Sequence, residues 1–321
     1  MSIIKAFKGY RPAPDLAKQV ASRPYDVLSR AEAKEEAKGN PNSYLHIVRS
    51  EIGLSDEISA YDEAVYAKAK ANFEQMTQDN ILIQDAENCL YVYAQTMNGK
   101  RQVGLVACTS IDDYLNDIIK KHEFTRPAKE QDRINHIYKT NLHSGPILMA
   151  YPNVMAIDAI VNHVAKQEPT CDFTAVDGIQ HTFWVIDDTD KIDALVELFA
   201  QKVPYIYIAD GHHRAASSTK VGLRKRKENE NHTGEEEYNY FLSVLFPDNQ
   251  LTIIDYNRVV TDLNGLSKAD FLTKVSEKFD IEKSKKAYQP QTPYHFGMYL
   301  DKEWYILTAK KGTYEENHPI L

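Results

Sequence analysis

Asn98-Gly99 divides two runs of strand-forming residues, 89–97 and 102–109, and constrains the fold more tightly than any other feature of the chain. The dipeptide readily supplies the positive φ angles of a two-residue hairpin turn. A hairpin forces antiparallel pairing. This one pairs Met97 with Lys100, and an unbulged ladder carries the register back until Cys89 stands opposite Cys108. The signal returns at Asp177-Gly178, between 173–176 and 181–186, and again between 294–300 and 304–308. Helical periodicity marks 55–78, with Ser55 as N-cap, and also 154–166, 190–202, 212–227 and 267–279. Ser110 is expected to cap a helix reaching Lys121. Another helix is expected to follow Arg133, carry Ile134, Ile137 and Tyr138, and stop at Gly145-Pro146. Further strands are expected at 81–84, 147–151, 205–209, 241–246 and 251–254. The polar stretch 224–239 reads as a solvated helix end and a mobile loop. Hairpins outnumber clean βαβ units, so the expected class is α/β of the mixed α+β kind, with mixed and antiparallel sheets and flanking helices. The length admits two lobes, placed at 1–120 and 121–321.

Composition narrows the function classes. Charged residues at 26% and hydrophobic ones at 43% exclude a wholly disordered chain. Lys and Arg number 38 against 46 Asp and Glu, a net charge of −8, which argues against non-specific nucleic-acid binding. No apolar run approaches the ~20 residues of a membrane span, and residues 1–8 are too short and charged for a signal peptide. The three cysteines form no CxxC pair. Their odd number points to a reducing cytoplasm and free thiols. Nothing in the sequence sets the oligomeric state.

One segment concentrates chemistry. Residues 205–209 read as a buried strand, Asp210-Gly211 as the turn off its end, and His212, His213 and Arg214 as the first turn of the next helix. Gly211 permits a tight turn and close backbone approach to a ligand. The helix start presents free N–H groups and its positive dipole end, and a guanidinium suits phosphate. Asp210 adds a carboxylate of the kind that serves as a base or as an Mg²⁺ ligand. His212 and His213, about 100° apart on a helix, do not chelate one ion by themselves. A second cluster, His122-Glu123-Phe124-Thr125-Arg126 with Lys129, Glu130, Asp132 and Arg133, packs acids, bases and a hydroxyl between two helices. A third, Arg23-Pro24-Tyr25-Asp26-Val27, reads on chemistry alone as a turn.

The Asp-Gly-His-His-Arg arrangement resembles the phosphate-binding turn of the ParB/sulfiredoxin superfamily. It is most similar to a bacterial and archaeal family of formerly unknown function that is related to free L-serine kinases. Phe7-Lys8-Gly9-Tyr10-Arg11-Pro12, the 23–27 segment with Asn40-Pro41, and the 122–133 cluster fit the same family in order and spacing. The resemblance implies a ParB/sulfiredoxin-like core and a cytoplasmic kinase transferring a phosphoryl group to L-serine. Its donor would be pyrophosphate, ATP or ADP, with Mg²⁺ as cofactor. It implies that Gly211, His212, His213, Arg214, Arg126, Lys129 and Arg133 hold phosphate, and that Asp210 binds Mg²⁺. Glu123 is the expected base, with Asp26 second, and Arg23, Tyr25, Thr125 and Asp132 face the substrate. His212 stands where sulfiredoxins carry cysteine, which excludes sulfinate repair, and no DNA-binding helix-turn-helix is visible. No Gly-x-x-x-x-Gly-Lys-Ser/Thr loop is present, which favours pyrophosphate over a nucleotide. Family chains continue past the equivalent of Asn317-His318-Pro319, so a further C-terminal segment is expected. The rival reading is a phosphometabolite- or nucleotide-binding regulator without turnover.

Overall fold

The computed structural model describes residues 1–315; the Asn317-His318-Pro319 stretch lies outside them. The chain divides into two units, Met1–Leu251 and Thr252–Leu321. The first begins with β1 (Ile4–Lys5), β2 (Tyr10–Pro12) and the helices α1 (Ala17–Val20), α2 (Arg30–Glu36), α3 (Leu45–Val48) and α4 (Glu63–Gln78). Then come β3 (Leu82–Gln84), β4 (Leu90–Met97), β5 (Lys100–Ser110), α5 (Ile111–Leu115), β6 (Ile119–Lys120) and α6 (Pro127–Thr140). β7 (Ile147–Tyr151), α7 (Met155–Val164), β8 (Cys171–Thr174), β9 (Gln180–Ile186) and α8 (Thr189–Lys202) follow. β10 (Ile206–Asp210), α9 (His212–Glu228) and β11 (Tyr240–Pro247) complete the unit.

A nine-stranded sheet organises this unit in the order β6-β10-β7-β11-β5-β4-β9-β8, with β1 also paired to β5. β6 with β10 and β7 with β11 are parallel; the other pairs are antiparallel. The mixed α/β class expected from the hairpins is the class observed. Ile157 and Val161 of α7 and Leu195 and Phe199 of α8 close with Leu90, Val92, Leu105 and Met149 into the main core. Each such side chain contributes about 1.5–3 kcal/mol on burial. A smaller core gathers Leu28, Ala33, Leu45 and Val48 from the helices before α4 and the turn leading into α2.

The sheet includes strands from both sides of the expected lobe boundary near residue 120, with β5 paired to β11 from Leu105 to Ser110. The β4–β5 register is the expected one, Met97 opposite Lys100 through to Tyr91 opposite Val106. Beyond Val106 the expectation fails. The apolar N-terminal segment enters between the strands, with Lys5 opposite Cys108 and Phe7 bridged to Cys89. Cys89 and Cys108 therefore flank a strand instead of facing each other, and all three cysteines are free thiols.

Several boundaries also move. α4 starts at Glu63 because Asp62, not Ser55, caps it by accepting the Ala64 N–H at 2.8 Å. α5 stops at Leu115, and Asp117 at φ 58° turns the chain into β6. α6 begins at Pro127, whose fixed φ suits the first helical position, and ends at left-handed Asn141, ahead of Gly145-Pro146. The polar 224–239 stretch is tied down, with Arg226 donating to both Asp112 oxygens at 2.8 Å and to Asn239 at 2.6 Å.

The second unit holds α10 (Lys268–Lys278), β12 (Phe279–Ser284), β13 (His295–Leu300) and β14 (Glu303–Ala309), in a sheet ordered β12-β14-β13. The expected hairpin is β13–β14. β12 was not legible in the sequence, and the strand expected at 251–254 is irregular and mostly exposed chain. No helix among the described residues is long and apolar enough to cross a membrane.

Candidate functional site

β10 alternates, with Ile206 and Ile208 buried and Tyr207 exposed, and it delivers Asp210 to the surface at its end. Gly211 follows at φ 103°, ψ 30°, a conformation that costs glycine little and a residue with Cβ a good deal more. α9 starts at once, and no side chain caps its N-terminus, so its first N–H groups lack the usual Ser, Thr or Asp partner. The strand–turn–helix expected from the sequence is present.

The two histidines do something the sequence did not show: they dock the 121–126 loop. His213 Nε2 accepts the Arg126 N–H at 2.9 Å, which leaves Nδ1 as the ring's donor. His212 is buried, 4% exposed. Its Nε2 faces the His122 N–H at 3.4 Å and its Nδ1 faces Glu123 Oε2, also at 3.4 Å. The His122 and His212 rings meet edge to face, with centroids 4.4 Å apart. Burial, with His122 beside it, pushes His212 below its ordinary pKa, against the opposing pull of Glu123 and Asp210. Burial thus favours the neutral imidazole. Both histidines contact the loop, His213 through the Arg126 N–H and His212 through the His122 backbone and ring.

Thr125 is a second anchor. Its hydroxyl donates to Glu130 Oε2 at 2.6 Å, while Glu130 also accepts from the Lys220 ammonium, and the Ser217 hydroxyl donates to the Glu130 carbonyl at 3.0 Å. Burial opposes ionisation of Glu130, but the Lys220 and Thr125 hydrogen bonds outweigh it and hold the carboxyl below its ordinary pKa. This buried carboxylate joins α6 to α9 beneath the loop. Its place in α6 had no sequence signal beyond one acid in a charged run.

Other expected residues are committed elsewhere. Arg214 is ion-paired to Asp210 at 2.5 Å and also donates to the Pro146 carbonyl, which engages both terminal nitrogens of its guanidinium. Asp132 accepts from Arg133 at 2.6 Å and from the Tyr66 hydroxyl at 2.9 Å, and the Arg133 guanidinium lies 4.2 Å over the Tyr25 ring. Burial raises the Tyr25 phenol, while Arg133 and Arg214 pull it down, which places the 23–27 turn beside the site. Asp26 is exposed on that turn. Arg23 pairs with Glu36 of α2. Arg126 and Lys129, both exposed, take part in no ion pair among the described residues.

The expected Mg²⁺ fits these side chains poorly. Magnesium takes oxygen ligands in octahedral array, yet the Asp210 carboxylate is engaged by Arg214. Among the described residues, the one group of three potential ligands is His122, Glu123 and His212, whose donor atoms all lie within 4.8 Å of one another. His122 belongs to the second cluster of the sequence without a role of its own there; only the fold sets its ring against His212.

Residues 4–321 match the family of proteins of unknown function DUF1015, and the chain belongs to that family. No curated protein and no solved structure matches it.

Proposed function

We propose that this protein is a small-molecule phosphotransferase that transfers a phosphoryl group to the hydroxyl of free L-serine, with pyrophosphate or a nucleotide as donor, on a ParB/sulfiredoxin-like core. One observation carries the reading: the His213 hydrogen bond to the Arg126 N–H and the packing of the His212 ring against His122 seat the 121–126 loop on the opening turn of α9. This seating gathers an uncapped helix N-terminus, the exposed carboxylate of Glu123 and the unpaired cations Arg126 and Lys129 in one place. Phosphoryl transfer asks for little covalent chemistry from the protein. It asks for charge neutralisation and in-line positioning. The α9 N–H groups with Arg126 and Lys129 meet the donor charge, and Glu123 accepts the proton of the attacking hydroxyl. Tyr25, with Arg133 stacked on its ring, and the exposed Asp26 beside it are proposed to face the acceptor. The Asp210–Arg214 pair leaves its partners bound to each other until a charged ligand separates them.

That same pair favours a second reading, a regulator that binds a phosphometabolite without turnover, because it withholds the one guanidinium on the α9 turn. Incubation with L-serine and Mg²⁺ plus pyrophosphate, ATP or ADP in turn, followed by phosphorus NMR, separates the two. Phosphoserine from one donor is the expected result. Glu123→Gln should slow its formation by about 10²–10⁴-fold with little change in the KM for serine. Saturable donor binding without phosphoserine assigns the regulator, and neither binding nor product overturns both.

A further inference from the structure

We propose that His122, Glu123 and His212 form a binding site for one divalent ion of the nitrogen-favouring class, with Zn²⁺ as its representative. The inference goes beyond the phosphotransfer reading and stands on geometry alone. Two imidazoles and a carboxylate, with donor atoms all within 4.8 Å, form a three-ligand set that leaves further coordination positions open to solvent or substrate.

The buried member carries the argument. His212 is 4% exposed, and neither ring nitrogen has a hydrogen bond of ordinary length. Its two polar neighbours, the His122 N–H and Glu123 Oε2, both stand 3.4 Å away. Neutral N–H bonds run at about 2.7–3.2 Å, so both partners of this buried imidazole stand beyond the usual range. The spacing suits ligands better. Two donors each about 2.1 Å from one ion at a near-tetrahedral angle lie about 3.4 Å apart. The Glu123–His212 separation is already that edge. Closing the wider gaps falls on His122 and Glu123, which are exposed, while His212 stays fixed in the first turn of α9.

The loop supplies the support such a site needs. His213 holds the Arg126 N–H, and Thr125 is tied to Glu130, so residues 122 and 123 are carried on a segment fixed at its far end. Magnesium is disfavoured because two of the three donors are nitrogen and it requires oxygen. With the ion bound, Glu123 is a ligand and its use as a base is suspended. Metal binding and phosphotransfer are therefore measured separately.

The test uses the purified full chain with no donor or acceptor present. After treatment with chelator, Zn²⁺, Co²⁺ and Mg²⁺ are titrated in calorimetry, and the Co²⁺ form is read by its visible ligand-field bands. The expected result is one equivalent of Zn²⁺ and of Co²⁺ bound, with Mg²⁺ giving no signal at equal concentration. His122→Ala, an exposed change that leaves the fold untouched by circular dichroism, should weaken Zn²⁺ binding by about 100-fold or more. Glu123→Gln should weaken it and shift the Co²⁺ bands. No Zn²⁺ binding, a preference for Mg²⁺, or Zn²⁺ affinity unchanged in both variants overturns the proposal. Each of those outcomes leaves the phosphoserine assay to decide phosphotransfer independently.

Discussion

Replacing Gly211 by alanine tests whether the turn into α9 depends on its backbone. Gly211 sits at φ 103°, where an L side chain brings Cβ against the backbone at about 1–2 kcal/mol. A Cβ there would also lie 3.1 Å from Arg214 Cζ and Nε. That contact is with the far end of a flexible side chain, so the guanidinium yields instead of the backbone. Yielding breaks the Asp210–Arg214 pair, whose carboxylate is largely exposed and whose loss therefore costs about 0–1 kcal/mol. Together the terms give about 1–3 kcal/mol. With a urea m-value of about 2–3 kcal/mol/M, the unfolding midpoint should fall by roughly 0.3–1.5 M. The double variant with Arg214→Ala separates the terms: the strain stays, the contact goes, and the costs are less than additive by several tenths of a kcal/mol. A Gly211→Ala midpoint indistinguishable from the parent refutes the backbone argument. Strict additivity refutes the contact with Arg214.

Gly222→Ala in the interior of α9 sets two effects against each other. Helix propensity gains about 1 kcal/mol, but the new Cβ meets the Tyr238 carbonyl oxygen and lies 2.7 Å from Ile111 Cδ1, and overpacking of about 1–3 kcal/mol or more should win. A stabilised variant in urea melts would show that the 237–239 turn moves freely. His136 is buried and pushed down to about 4 by burial, with Arg133 adding to the shift. Its folded pKa is depressed, so its contribution is complete above about pH 6.5 and is lost as pH falls towards 4, up to about 3 kcal/mol in all. His136→Gln should flatten urea midpoints over that range, and an unchanged slope would assign the loss to other groups. Cys171 is half-buried while Cys89 and Cys108 are buried, and burial raises all three thiols. A thiol reagent should therefore label Cys171 first and the others only on unfolding; a disulfide in the purified chain would contradict the strand insertion at β1.

Local signals were enough for the elements that follow from local chemistry. Asn98-Gly99 has positive φ at both residues, and the pairing it launches follows by counting. The β10–Gly211–α9 passage was legible for the same reason: an apolar strand, a residue free to take φ 103° and a helix start are consecutive in sequence. Pairing between distant segments was not. Nothing near Cys89 announces that residues 4–7 enter between β4 and β5, because that wedge is decided by which buried edge the N-terminus finds. The candidate site divides along the same line. Sequence marked the residue types at 122–133 and 210–214. Only tertiary structure turned His212 and His213 into clamps on the loop, closed Asp210 on Arg214, put Arg133 over Tyr25 and set His122 against His212. A side chain's partner is fixed by side-chain direction and by the competition among all nearby donors and charges, and those exist only once the chain has folded.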